Sequence, residues 1–377
     1  MREIWLLLDS RGIGGIESHV AELAVGLLEA GDRPRVLFLA DHGPHPLRQR
    51  LDREGVPWEA LSGGLSGLLA RCRTGRPRVL HTHGYKANIL GRIAGTLTRT
   101  PLVATYHAGE RPGGLLAVYD LMDRWTSGLG ARIAVSRPIQ ARMPFGATLI
   151  PNFVDVPIAP PQKGTSQKGT SQKGTSQKGT SQKGTSQKGT SQKGTSQKGS
   201  SQMESTQPGP AIVAFVGRMA PEKGPDHFCA IARDHPQASH VAFGDGPMRL
   251  NLQSQVGESV RFAGAVTNMA ETWPQIGLLV ISSRAEGLPL AALEAMANGV
   301  PVAAFALGGL PDLIEDDATG YLAAPGDVAG LSERVGKWLA LSTSERAAMA
   351  LAAWRAVSAR HGRPGGVAAV RALYAGA

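Results

Sequence analysis

ISSRAEGLPLAALEAMANG, residues Ile281 to Gly299, decides how the rest of the chain is read. It opens at the end of an apolar run, Leu278-Leu279-Val280-Ile281, which has the character of a buried strand. A polar turn follows, Ser282 to Gly287. Pro289 stands where the first turn of a helix tolerates proline, Leu290 to Asn298 is rich in helix formers, and Gly299 fits the C′ position where helices stop. The stretch predicts strand, tight loop, helix.

A helix N-terminus presents unpaired N–H groups and a partial positive charge, which suits a phosphate. Two carboxylates frame this one. Glu286 lies in the loop, on one side of a diphosphate seated at the helix start. Glu294 lies in the helix, placed to accept hydrogen bonds from the vicinal hydroxyls of a sugar. Taken alone, the pair is more simply a helix-start and a surface glutamate of an ordinary α/β unit. In context the stretch resembles the paired-glutamate motif of retaining, nucleotide-sugar-dependent glycosyltransferases of family 4, which have the GT-B fold. The motif there is followed by a phrase like Gly299 to Asp327, GVPVAAFALGGLPDLIEDDATGYLAAPGD. Asp312 stands where those proteins often have glutamate.

A chain of 377 residues suggests two domains. The formal net charge is +10, but eight of the 40 basic residues are lysines of one repeat. Without them 32 basic residues face 30 acidic ones, so nucleic acid is not expected as a partner, whereas weak attraction to an anionic membrane is allowed. Cys72 and Cys229 have no metal-ligand spacing and fit a reduced, cytoplasmic protein. MREIWLLLDSRG is too short in its apolar run for a signal peptide, and no run reaches the roughly 18–20 apolar residues of a membrane span.

Along the chain, Glu3 to Leu8 reads as a buried parallel strand. Asp9 to Gly15 is a glycine-rich turn into a helix from Ile16 to Ala30. Gly14 and Gly15 suit a loop whose backbone approaches a phosphate or sugar, and equally suit a plain strand–helix turn. Asp41 at the end of the next strand raises the idea of a dinucleotide site, but the glycines are out of G-x-G-x-x-G register. His83 and His107 end two further strands, where open α/β sheets bind ligands. The resemblance favours His107, placed near the donor sugar, and leaves His83 a secondary cleft candidate. Thr148 to Asp155 resembles the family's interdomain hinge phrase, with Phe153 where glycine is common.

Gln162 to Ser196 is seven perfect copies of QKGTS, and Gln197 to Ser201 an altered eighth. With no apolar residue the tract is expected to be disordered. Forty such residues reach roughly 35 Å, more than a two-domain cleft needs, so the tract reads as a tolerated linker expansion whose copy number varies between strains.

A second doubly wound unit starts at Pro210. Its first loop, Gly217-Arg218-Met219-Ala220-Pro221-Glu222-Lys223-Gly224, carries two cations able to neutralise a diphosphate. This G-R-x-x-x-E-K-G phrase resembles a signature of the same family. The resemblance implies that Arg218 and Lys223 bind the donor diphosphate and that amides near Gly287 and Leu288 help them. Gly217 lets the backbone approach the ligand, Glu294 holds ribose hydroxyls and Glu286 orients the transferred sugar. His107 completes the catalytic set from the first domain.

The expected architecture is α/β, with two Rossmann-like parallel-sheet domains facing a cleft. Its divisions are an acceptor-side domain at 1–155, a linker at 156–209, a nucleotide-sugar domain at 210–363, and a C-terminal helix at 364–377 that packs back on the first domain. No Asp-x-Asp motif is evident, so neither metal nor other cofactor is expected. The partners expected are a nucleoside-diphosphate sugar and a glycan or glycolipid acceptor of the bacterial envelope, with lipopolysaccharide core first. Peripheral association with the inner membrane goes with them. A nucleotide-sugar epimerase on the same fold, and a non-catalytic nucleotide-sugar-binding subunit, are the alternatives. The first usually lacks this glutamate pair, and the second would lose site residues that are present here.

Overall fold

The computed structural model describes residues 2–12, 14–107, 114–160, 212–266 and 268–376. The QKGTS tract lies outside them.

Seven strands build the first sheet: β1 (Ile4–Leu8), β2 (Pro34–Phe38), β3 (Trp58–Ala60), β4 (Val79–His83), β5 (Leu102–Tyr106), β6 (Ala131–Ala134) and β7 (Thr148–Leu149). Their order is β3-β2-β1-β4-β5-β6-β7, parallel throughout. Six build the second: β8 (Ile212–Val216), β9 (Ser239–Phe243), β10 (Arg261–Gly264), β11 (Ile276–Ile281), β12 (Val302–Phe305) and β13 (Gly320–Ala323), in the order β10-β9-β8-β11-β12-β13, again parallel. The two-sheet α/β architecture expected from the sequence is met. β1, IWLLL, is buried at every residue, as a strand covered on both faces requires. Strand order reverses beside β1 in one sheet and beside β8 in the other. At such switch points the loops after the strands diverge and leave a crevice.

One apolar cluster joins the two halves. Tyr106, Ile139 and Met143 of the first meet Leu288, Leu290 and Leu293 of the second. The chain also crosses between the halves twice in one place. Val154 N donates to the His361 carbonyl at 3.0 Å and Arg363 N to the Val154 carbonyl at 2.8 Å. The last helix, Arg363–Ala375, then lies against the first, Gly15–Glu29: Val367, Val370 and Tyr374 enter the core of the first sheet. Arg363 pairs there with buried Glu22 at 2.9 Å and with Glu29 at 2.8 Å.

Three local features differ from the sequence reading. Pro289 is not inside the motif helix but caps it in an extended conformation, and the helix runs from Leu290 to Ala297. Leu65–Gly75 is a helix the glycine-broken pattern hid; Gly67 sits so close to the Ser62 carbonyl that a Cβ would lie 1.8 Å from it. β13 was likewise unread, because its first residue is Gly320. A Cβ there would lie 2.2 Å from the Val302 carbonyl, so the pairing itself demands glycine.

Candidate functional site

The candidate site residues lie on the loops that follow β1, β5, β8 and β11, with Glu294 in the helix after β11. On the second sheet, β8 ends at Val216 and leads through Gly217 into the Arg218–Gly224 loop; β11 ends at Ile281 and leads into Ser282–Pro289. The two loops are stitched together. Ser282 Oγ donates to the Gly224 carbonyl at 2.7 Å, and Arg284 N to the Glu222 carbonyl at 2.9 Å. Gly224 has φ +60°, and a Cβ on it would lie 2.0 Å from the Ser282 carbonyl, so the sharp turn and the close approach both require glycine.

That stitching brings Lys223 and Glu286 together. Lys223 Nζ donates to Glu286 Oε1 at 2.8 Å, and Ser283 Oγ donates to the same oxygen at 2.7 Å. Glu286 is buried, whereas Lys223 keeps part of its side chain open. Both donors grip one oxygen, which fixes the carboxylate plane and leaves Oε2 to another group. Arg218 is 67% exposed and pairs with Glu222. An incoming anion would have to share this guanidinium with the Glu222 carboxylate.

From the first sheet, the β1 loop brings Gly14 and Gly15 to the start of the first helix. Gly14 is extended and caps it without a capping hydrogen bond of its own; a Cβ on Gly15 would meet nothing within 4 Å, and the Glu17 carboxylate already accepts from the Gly14 backbone. Glu17, one turn in, is half-buried; burial raises its pKa, opposed by hydrogen bonds to Ser10 and to the Glu17 and Gly14 backbone and, least of all, by the Arg218 charge. His107 follows β5. A Cβ on Gly287 would lie 2.3 Å from its carbonyl oxygen, so the two sheets touch there. Leu288 buries its side chain in the shared apolar cluster, and its carbonyl accepts from Asn152 Nδ2 at 2.6 Å. Glu294 faces the first helix rather than open solvent. Burial pushes its pKa up to about 7, with the Glu22 charge adding to the rise and Arg50 opposing it.

Several residues to which the sequence reading gave no part in the site shape this region. Ser283 fixes Glu286. Asn152 ties the hinge to Leu288, and its own carbonyl lies 3.0 Å from His361 Nδ1. Phe153, the departure from the hinge phrase, is buried under the last helix; a Cβ on Gly366 would lie 2.0 Å from its ring. Asp312 reaches across to Arg137 at 3.4 Å. His19 sits four residues past Gly15 with its ring 4.7 Å from that of His107. Only the i, i+4 step from the glycine turn gave any signal for it, since that step places it on the helix face above the strand ends.

Beside His107 the first sheet carries a pocket lined by Tyr106, Ile139, Met143, Asp120, Arg124 and Arg142. The helix that forms its rim, Leu115–Trp125, exposes Leu116, Val118, Leu121, Met122 and Trp125; Leu129 and Phe145 extend the apolar strip.

Two family models match the chain. Residues 13–156 match Glycosyltransferase Family 4, and residues 198–354 match Glycosyl transferases group 1. The chain belongs to this glycosyltransferase family. The Arabidopsis thaliana sulfoquinovosyl transferase SQD2 is 34% identical over 128 residues, 32% of this chain and 25% of its own length. The 2-deoxystreptamine glucosyltransferase of Streptomyces kanamyceticus is 34% identical over 140 residues, 34% of this chain and 36% of its own length. The matched region thus spans a quarter to about a third of these curated relatives. Among solved structures, the Anabaena protein HepE in complex with UDP-glucose superposes with a TM-score of 0.75 at 18% identity, covering 100% of both chains. That likeness shows the GT-B fold, and the family's two halves coincide with the two sheets described above.

Proposed function

We propose that this chain transfers a sugar from a nucleoside-diphosphate donor to an acceptor hydroxyl, with retention of anomeric configuration. The observation that carries it is the Lys223–Glu286 contact, 2.8 Å long, at the carboxyl edge of the second sheet and opposite His107. A cation fixed beside a buried carboxylate places diphosphate chemistry and sugar-hydroxyl recognition within one side-chain length of each other.

The donor lies on the second sheet. Lys223, Arg218 and the amides near Gly287 and Leu288 stabilise the departing diphosphate, a preorganised electrostatic contribution. Glu286 holds a sugar hydroxyl through Oε2. Its Oε1 is already occupied by Lys223 and Ser283, so it orients the sugar rather than attacking it. Glu294 takes the ribose hydroxyls, Gly217 admits the nucleotide backbone closely, and Gly14 and Gly15 face the cleft from the other side. His107 meets the sugar when the two halves close. The leaving phosphate takes the acceptor proton, and no metal enters the step.

The acceptor enters by the pocket beside His107. The exposed apolar strip along Leu115–Trp125 suits a lipid-borne acceptor and a protein resting on the cytoplasmic face of a membrane. Among the described residues no helix is long and apolar enough to cross one. A glycolipid of envelope polysaccharide synthesis, lipopolysaccharide core included, is the acceptor class that fits. The names of matched relatives, a sulfoquinovosyl transferase and a 2-deoxystreptamine glucosyltransferase, support sugar transfer. Incubating the protein with candidate nucleotide sugars and a membrane-lipid extract, then following glycolipid formation and nucleoside diphosphate release, tests it. Release without a glycosylated product, or epimerised donor alone, would favour the other readings.

A further inference from the structure

His19, His83 and His107 come from the first helix, from the end of β4 and from just past β5. They converge so that one ring nitrogen of each lies within 4.8 Å of one from both others. His83 Nδ1 and His107 Nε2 are 3.2 Å apart. Metal–nitrogen bonds of about 2.1 Å in a tetrahedron set nitrogens about 3.4 Å apart, so this pair already has the spacing and His19 closes in by about an ångström. His19 and His83 are almost wholly buried, and His19 Nδ1 and His83 Nε2 have no hydrogen-bond partner among the described residues. His83 turns Nδ1 toward His107, so of the two unpaired atoms it is the His19 Nδ1 that leaves a nitrogen for a ligand, since buried polar atoms are nearly always paired.

The neighbours hold the cluster in place: Asn152 hydrogen-bonds His19, and His83 and His107 lie within hydrogen-bond distance of each other. The His81 ring lies 4.3 Å from that of His83, but both its nitrogens are used, by Tyr374 Oη and Thr105 Oγ1 at 2.7 Å each. Phe153 packs beside His19. Burial keeps all three imidazoles neutral, with His19 down to about 4 and the other two well below their usual value. Neutral rings bind a cation after a shift of tautomer, with no proton to expel. Three imidazoles without carboxylate or thiolate select borderline transition ions over magnesium or calcium, and three protein ligands leave a fourth position to water.

We propose that His19, His83 and His107 form a binding site for a divalent transition ion of the zinc type. The site shares His107 with the transfer step proposed above, and the ion takes no part in that step.

The test uses the full chain after chelator treatment. Titration with Co2+, followed by visible absorption, is expected to saturate at one equivalent with the intense bands of a low-coordinate site, and Zn2+ is expected to bleach them. His19→Gln and His83→Gln are each expected to weaken Co2+ binding by roughly a hundredfold or more, while His235→Gln, outside the cluster, leaves it unchanged. Because either cluster variant can lose its fold, wild-type melting is measured as well. Zn2+ is expected to raise the transition up to one equivalent, and Mg2+ to leave it in place. Absence of both the Co2+ bands and the Zn2+ shift in the wild type would overturn the proposal. So would undiminished Co2+ binding in a folded His19→Gln or His83→Gln protein.

Discussion

A methyl group on Gly287 would lie 2.3 Å from the carbonyl oxygen of His107, and Ile139 Cδ1 would crowd it at 3.3 Å. The nearer obstacle is backbone and cannot swing away, so the two sheets meet at a point that admits only glycine. Gly287→Ala is expected to hold the halves apart by about an ångström. Misplacement on that scale costs on the order of a hundredfold in turnover. The nucleotide, bound chiefly by the second sheet, should keep its affinity. Steady-state kinetics beside calorimetric nucleotide binding separates the two, and an unchanged turnover number would mean that this contact is not part of the reacting form.

Lys223→Ala removes the cation nearest Glu286 and leaves a buried carboxylate held by Ser283 alone. Turnover should fall by about a hundred- to a thousandfold, the loss typical of one preorganised donor. A single-turnover assay with saturating donor reads the chemical step directly. A rate near that of the wild type would contradict the assignment.

Much of this was legible because it is local. Alternation of apolar runs with glycine turns gave the strands, and the cations of Arg218–Lys223 and the glutamates of Glu286–Glu294 each sit on one loop or one loop and helix. What was not legible depends on contacts far apart in sequence. Nothing near Gly287 says that His107 will press on it, and nothing near His83 says that His19 will share its surroundings. The cap position of Pro289 also escaped, since proline fits both N1 and the residue before it and only the backbone angle distinguishes them. β13 was hidden because glycine is a poor strand former, and the close approach to Val302 outweighs that preference.

Glu294 makes stability depend on pH. Its carboxyl titrates at about 7 in the folded chain against a reference value of 4.5. Between those values the folded state binds more protons than the unfolded one, so this group's stabilisation is full below about 4.5 and is lost as pH rises through about 7. The slope approaches about 1.4 kcal/mol per pH unit at most. Denaturant unfolding of the wild type and Glu294→Gln at several pH values should show that slope in the former and not the latter. Nucleotide binding should tighten over the same rise, because ribose hydroxyls donate to the ionised form. Parallel profiles for the two proteins would remove Glu294 from this role.

The apolar strip makes a prediction independent of the chemistry. Leu121→Asp and Trp125→Ser alter exposed side chains and should cost little stability. They are expected to reduce co-sedimentation with anionic vesicles several-fold while leaving nucleotide binding unchanged. Deleting the QKGTS tract should change neither readout. Vesicle binding that survives both substitutions but disappears with the tract would move the membrane contact to the repeat lysines.

The central claim is that the second sheet's Lys223, Glu286 and Glu294 hold a nucleoside-diphosphate sugar. Calorimetric titration of the purified chain with UDP, GDP, dTDP and ADP tests it most directly. One nucleotide is expected to bind selectively, with its affinity lost in Glu294→Ala and weakened in Lys223→Ala. Binding of none of them, or equal binding by the wild type and both variants, would contradict the account.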